Sequence, residues 1–576
     1  MKFNSRIWAS VAVGALLAMG AGASADAATT KHVAKKAAAP AATAADVEAL
    51  KAEIAVLKAK LDEVSASQAK SAEVAAQLEQ AQDSLANSVV AQSQTINTMP
   101  AEITKAAVAA AQPKTDKIYY KGVKITLGGF VAAEADYRSK STDSTIATAF
   151  TKLPFGSAPL NHVSESRFSA QQSRFTLLAE GDASPTTHIQ GYGEVDFLGA
   201  AQTANFNQSN SFTPRFRVLY ANVDFDNLGL HLLAGQNWSL ATLNSKGITP
   251  RNEVAPPQID PQYLVGFVWA RQPQIRLTEE LFDKSLWLAV SVENPATLSP
   301  GGKVASNVVV TSSSGSNQNL NSANAYPLSN IPDVIVKGAY ETKIADRALH
   351  VEAFAIGRDF YSRQYLNPTN NTPGSTSAVL SATNAASNQN VYGVGFGGGA
   401  TFQAVPHMLD VQASILSGRG MGRYGTSGLA DVTTDVNGNL KPLSSLAYLV
   451  GGTFHASPML DIYAFGGSEQ ITHRQQYLNT AGTALVAGYG NEFANNTGCS
   501  VENSTCAGDN KYVSELTLGF WHKPYVGSFG RVQWGMQFSN ATLGKFSGNN
   551  GSAANPALGA KTSDNMVFTS IRYYPF

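Results

Sequence analysis

Arginine is the residue type that stands out for chemistry. Arg167, Arg174, Arg215, Arg217, Arg271 and Arg276 fall in short segments of alternating polarity, and Arg251 lies in a proline-rich stretch. Arg215 and Arg217 are two apart, which puts both on one face of an extended strand. A guanidinium presents a planar fork of donors that grips a carboxylate through two bonds, which an ammonium cannot do. A ladder of them on a low-dielectric wall would concentrate small anions. Glu194 and Asp196, with Glu134 and Asp136, have the same alternation. They support a second reading, an ion-pair network internal to the wall. The two readings are compatible, because a basic wall can face an acidic loop.

Other chemistry lacks its motif. Gly393, Gly395 and Gly398 match GxGxxG, but "YGVGFGGGATF" continues a strand and opens no helix, so the phosphate-binding context is missing. The nine histidines form no HExxH or other ligand spacing, and no GxSxG occurs. "DVNGN" at 435–439 reads as a turn rather than a calcium loop. No enzyme, metal site or cofactor is expected. The two cysteines, Cys499 and Cys506, share one polar loop, and a local disulfide fits an exported chain.

The elements that must position the arginines are strands. From Gly122 the sequence has a period of two. Val123, Ile125, Leu127, Val131 and Tyr137 fall on one face, and Lys124, Thr126, Glu134, Asp136 and Arg138 on the other. One face suits lipid and the other water. An Arg facing lipid at midplane costs roughly 2–4 kcal/mol, so most of these arginines must face inward. Short turns are expected near 182–186, 227–229, 279–284, 343–347, 406–407, 457–458 and 524–528. They alternate with long Asn/Ser/Thr/Gly-rich loops near 139–165, 199–213, 239–262, 294–331, 362–389, 419–444, 476–510 and 541–561. Those connections predict sixteen strands, with both barrel ends on the short-turn side. That is a 16-stranded antiparallel transmembrane β-barrel over 113–576, with periplasmic turns and extracellular loops. The closing "RYYPF" suits an interfacial aromatic girdle, although Val567, Thr569, Ile571 and Tyr573 alternate out of step with Phe568, Tyr574 and Phe576. The third long loop holds Pro250, Pro256, Pro257 and Pro261 with Arg251, Glu253 and Asp260. A stiff loop with spaced charges is expected to fold inward and narrow a pore.

The segment before the strands differs in kind. Residues 1–25 read as a secretory signal: Lys2 and Arg6, an apolar stretch from Ile7 to Met19, then small residues. Its removal takes two basic residues from 42, leaving 40 against 42 acidic ones, so nothing calls for nucleic acid. Residues 26–45 form an Ala/Lys-rich linker. Residues 46–112 read as an α-helical coiled coil, since steps of three and four from Val47 reach Leu50, Ile54, Leu57, Leu61 and onward to Met99 without a phase break. Such a seam, roughly 80 Å long at 1.5 Å per residue, implies partner chains. Gln68, Ser71, Gln82 and Gln92 are polar layers that set register.

"SRFTLLAEGD" (173–182), "IQGYGEVDFLG" (189–199), "RFRVLYANVDF" (215–225), "LLAGQNWS" (232–239), "RQPQIRLT" (271–278) and the terminal "RYYPF" resemble the DcaP-like trimeric porins of Gram-negative outer membranes. The resemblance implies a homotrimer of sixteen-stranded barrels in outer-membrane lipid, with N-terminal helices bundled in the periplasm. It also implies diffusion of small anionic or neutral solutes such as dicarboxylates. A second functional class stays open: a structural or adhesive envelope protein, whose coil reaches the peptidoglycan while the barrel anchors it.

Overall fold

The protein is described from a computed structural model. It covers residues 117–576 apart from 200, 203–210, 299–300, 304–307, 311–328, 367–384, 480 and 553, together with scattered positions between 48 and 60. Those scattered positions are helical and exposed, and the chain divides into one unit up to Lys114 and another from Thr115. The expected signal, the linker and nearly all of the coiled coil lie outside the described residues.

Alternating side chains build sixteen long strands. The first eight are β1 (Val123–Arg138), β2 (in two parts, Glu165–Ser169 and Arg174–Ser184), β3 (Thr187–Asp196), β4 (Arg215–Phe225), β5 (Leu230–Trp238), β6 (Arg271–Leu281), β7 (Leu286–Glu293) and β8 (Asp333–Ile344). The second eight are β9 (Arg347–Leu366), β10 (Ala385–Val405), β11 (Leu409–Arg419), β12 (Ser444–Ser457), β13 (Leu460–Ile471), β14 (Asn510–Gly527), β15 (Gly530–Lys545) and β16 (Lys561–Tyr574). Each pairs antiparallel with its neighbour in sequence. β16 pairs with β1 from Val131↔Tyr573 to Arg138↔Met566, which closes a sixteen-stranded barrel and removes the free edges. Where β2 breaks, the Ala132 N–H donates to the Ser173 hydroxyl at 3.0 Å, so a side chain replaces the missing ladder bond. A short strand, Lys117–Tyr120, pairs with the beginning of β1 below the point where β16 ends.

The connections alternate strictly. Two to four residues join β2–β3, β4–β5, β6–β7, β8–β9, β10–β11, β12–β13 and β14–β15, and the other eight are long. Both barrel ends lie on the short-turn side, the arrangement of outer-membrane barrels. The outer face is apolar. Leu516 is 64% exposed and Ile571 58%, and Val131, Phe175, Leu219, Ile275, Val336, Phe396 and Val450 are exposed on the same parity. A belt of that size has no place in water and matches a lipid-facing band.

The parity of β16 settles the aromatic question. Val567, Ile571 and Tyr573 face outward, Phe568 is buried inside, and Tyr574 packs inward against Phe130 with ring centroids 5.1 Å apart. Phe576 lies beyond the strand and is exposed. The two sets are the two faces of one regular strand.

The apolar core sits inside the barrel, built around the long connection 239–270. Ile259, Leu264, Val265 and Phe267 of that loop pack with Tyr463, Phe465, Trp521 and Phe568 of the wall. A second cluster sets Leu240, Ile248 and Val268 against Trp287, Ile335 and Phe354. The loop is therefore a third layer, lying within the closed sheet.

Candidate functional site: a basic wall facing an inserted loop

The inserted loop is held by its backbone. Glu293 of β7 accepts from the Leu240 N–H at 2.8 Å, and Glu352 of β9 from Asn244 at 3.1 Å. Glu469 of β13 accepts from Gly266 at 2.8 Å, Glu515 of β14 from Val265 at 2.9 Å, and Gln537 of β15 from Ile259 at 2.5 Å. Trp521 donates its indole N–H to the Pro257 carbonyl at 2.7 Å. Gly266 has φ +92°, and a Cβ there would lie 1.9 Å from the Tyr448 carbonyl oxygen, so only glycine fits this contact. Bonds from N–H groups to carboxylates are the stronger kind. They also occupy the acidic groups of one half of the wall, which are then not directed at the arginines of the other half.

That other half runs from β15 through β1 to β6. Arg217 is only 3% exposed, and its guanidinium reaches Glu194, Asp196 at 2.9 Å and the Tyr263 hydroxyl at 2.7 Å. Arg215 grips Asp196 with two bonds, at 2.8 and 3.2 Å. Arg174 lies 3.4 Å from Glu194 and 5.3 Å from the Phe130 ring centroid. Arg167 pairs with Glu165 at 2.9 Å and is partly exposed. These four are compensated, as the wall-network reading expects.

Arg271 and Arg276 differ. Arg271 lies between Trp238 and Trp269, 5.2 Å from each ring, and its Nε and Nη1 have no hydrogen-bond partner. Arg276 donates to Gln274 at 3.1 Å and to the Trp238 carbonyl at 2.5 Å, with no carboxylate in ion-pair range among the described residues. Arg251, in the loop, is exposed at φ +70°, donates to Gln190 at 2.9 Å and stacks 5.7 Å from Tyr192.

Between the loop and this wall lies an opening of about 340 Å³, lined among others by Arg174, Arg217, Lys523, Arg531, Arg572 and Pro257. Asp260 and Asp461 are its own carboxylates. Lys523 pairs with Asp461 at 2.6 Å, and Arg174, Arg217 and Arg572 pair with wall carboxylates, which leaves Arg531 as the lining cation without an ion pair among the described residues. Ala255, Pro257 and Asp461 also line an adjoining space of about 750 Å³. Burial alone would raise the Tyr263 phenol, but Arg217, Arg271 and Arg174 outweigh it and draw it below its ordinary value. Burial raises the Asp260 carboxyl, an effect that nearby Arg138 opposes.

Sequence reasoning did not single out Arg531 or Arg572 on this wall, nor Lys337 and Arg358 elsewhere inside the barrel, and it placed Arg138 on the inward face without a role. Arg531 stacks 4.1 Å from the Tyr574 ring with no carboxylate in ion-pair range among the described residues. Arg572 bonds Glu134 at 2.9 Å and Arg358 bonds Asp431 at 2.9 Å, while Arg138 and Asp136, and Lys337 and Glu352, form ion pairs at 2.7 Å. Strand parity was the available signal: Arg572 alternates with Phe568 and Ser570, and Arg138 with Glu134 and Asp136.

At the long-loop end, Cys499 and Cys506 are joined as a disulfide. Their loop docks on the first long loop, where the Ser157 N–H donates to the Cys499 carbonyl at 3.1 Å. In "DVNGN", Asp435 accepts from the Asn437 and Asn439 N–H groups at 2.9 Å each, closing a turn.

The chain shares its fold with the outer-membrane channel DcaP of Acinetobacter baumannii. The two are 18% identical with a TM-score of 0.52, over 79% of this chain and 99% of that one. More distant similarity reaches an anion-selective porin from Comamonas acidovorans, 11% identical with a TM-score of 0.40 over 78% of this chain and 99% of that one. OprB of Pseudomonas putida is 10% identical with a TM-score of 0.41, over 78% and 94%. No protein-family model matches the sequence, and no curated protein matches it.

Proposed function

We propose that this chain is an outer-membrane porin, a passive diffusion channel for small hydrophilic solutes that favours anions such as dicarboxylates. The observation that carries the reading is the opening of about 340 Å³ between an inserted, proline-stiffened loop and a wall of five cationic side chains. A solute crossing there sheds part of its water beside Arg531, whose charge no carboxylate cancels among the described residues, and a carboxylate recovers a charge-assisted bond in exchange. Trp238, Tyr263 and Trp521 supply rigid apolar sides that keep the passage narrow. Asp260 and Asp461 repel a second negative charge held too deep, so binding stays weak enough for release. No covalent step is involved, and the residues act by position and charge alone.

The expected assembly is a homotrimer in outer-membrane lipid, with the 46–112 helix directed into the periplasm. The coiled-coil seam supports that assembly, because its apolar positions need partners. Proteoliposome swelling tests the channel. Succinate should enter faster than a neutral solute of equal size, and a divalent cation salt slowest. Equal rates for all three would reject the anion preference, and no swelling would reject the channel.

A further inference from the structure

A second site lies outside the pore, at the long-loop end of β14–β16. A cleft of about 720 Å³ is lined there by Arg474, Lys511, Tyr512, Lys545, Phe546 and Lys561, with His473 and smaller residues between them.

Strand parity shows that the cleft reaches the outer surface. On β14, Val513, Glu515 and Thr517 are buried, whereas Leu516 and Leu518 are exposed on the lipid side. Tyr512 shares the outward parity. It pairs with Gly544, which pairs in turn with Lys561, so the three form one row across the outer face. A Cβ on Gly544 would lie 2.0 Å from the Tyr512 ring, so the missing side chain makes room for that ring over the neighbouring strand.

Lys511 occupies an irregularity. The register passes from Asn510↔Lys545 to Tyr512↔Gly544 and leaves Lys511 unpaired. A bulge at a barrel rim re-aims a side chain. The Lys511 ammonium lies 5.7 Å from the Phe546 ring centroid, and the Arg474 guanidinium lies 5.3 Å from the same ring.

The charges are unbalanced. Arg474 is fixed by the Gly490 and Ser547 carbonyls, each at 2.6 Å, and Lys545 by the Gly508 carbonyl at 2.6 Å. Those bonds hold two cations in place without neutralising them. The Lys511 and Lys561 ammonium groups make no hydrogen bond to protein among the described residues. No carboxylate of those residues lies within ion-pair distance of any of the four. Asp509 is the nearby carboxylate and acts on Lys545 without reaching ion-pair distance, so four cations around an aromatic floor keep an excess of positive charge that suits a ligand with concentrated negative charge and an apolar or saccharide body.

We propose that this cleft binds the phosphate groups of a phosphorylated glycolipid headgroup in the outer leaflet. The cleft is at the extracellular rim, above the apolar belt, where such headgroups lie. Lys511 and Lys561 donate to phosphate oxygens, Arg474 and Lys545 supply the fixed field behind them, and Tyr512 supports the sugar. The site rests on the outer-membrane placement and is independent of conduction through the pore.

Native mass spectrometry of the full chain in detergent tests this without a bilayer or a current. The probes are a bisphosphorylated diglucosamine lipid, its dephosphorylated counterpart, and inorganic phosphate as competitor. The bisphosphorylated lipid should be retained and the dephosphorylated one lost. Lys511→Gln with Lys561→Gln should weaken retention roughly thirtyfold, and the exposed Lys561→Gln alone roughly fivefold. Lys343→Gln, at a short turn on the opposite end, should change nothing. Both variants should remain heat-modifiable barrels on gels, and Lys561→Gln provides the reading if the double variant does not fold. Equal retention of the two lipids, or retention unaffected by the lysine substitutions, would overturn the site. Displacement by millimolar inorganic phosphate would assign it to free anions and overturn the glycolipid.

Discussion

Replacing Arg531 by Gln should shift the channel toward cations more than any other single substitution on the wall. Arg531 lines the opening, stacks on Tyr574 at 4.1 Å, and has no carboxylate to cancel its charge among the described residues. Removing it subtracts a whole charge from the passage without leaving an unpaired acid. A unit charge about 6 Å from a passing anion is worth about 0.7 kcal/mol in bulk water and about 3 kcal/mol at an effective dielectric constant near 20. A wet passage lies between these limits, and 1 kcal/mol is about fivefold in local anion partition. Cations gain by the same field, so 1 kcal/mol lowers the anion-to-cation permeability ratio about twenty-fivefold before screening and about sixfold once a Debye length of about 10 Å screens it at 0.1 M salt. The assay is the reversal potential across a planar bilayer in a salt gradient. At 1 M the Debye length shrinks from about 10 Å to about 3 Å and most of the difference should vanish. Arg347→Gln, exposed at a short turn, is the matched control. An Arg531→Gln channel that keeps the original ratio at 0.1 M would refute the reasoning. The selectivity would then arise elsewhere than in uncompensated charge at this opening.

Arg217→Gln should act on stability instead, because it leaves buried Glu194 and Asp196 short of their partner, a loss of about 3–5 kcal/mol measurable by denaturant unfolding from lipid. An unchanged midpoint would show that the pair is not buried as described. Deleting 254–262 should raise single-channel conductance and weaken ion selectivity together, and unchanged conductance would mean that the loop does not limit the passage. Peptide mass mapping without reductant should recover Cys499 linked to Cys506; free thiols on both would contradict it. Deleting 40–112 should leave a folded barrel whose trimer dissociates more easily, as read by gel mobility against temperature. Failure of that barrel to assemble would make the helix an obligatory nucleus.

The sequence was most legible where local chemistry decides. Alternation from Val123 onward gave the inward and outward faces, and Asn, Gly and Pro clusters marked the connections that divide the barrel into sixteen strands. The prolines of 250–261 marked the third loop as different, although its depth of burial depends on Glu293, Glu352, Glu469 and Glu515, which lie on four distant strands. Compensation was illegible for the same reason. Whether Arg217 or Arg531 is neutralised depends on cross-strand neighbours and on which carboxylates the loop has already engaged. Arg271 illustrates the limit: its two tryptophans come from β5 and from the loop, and no spacing in the chain joins them.

The central claim is that ions cross this barrel past a basic wall. Single-channel recording of the purified full chain in a planar bilayer tests it most directly. Stepwise conductance with a reversal potential on the anion side at 0.1 M salt is the predicted result. A silent bilayer from correctly folded protein, or open channels that prefer cations, would contradict it.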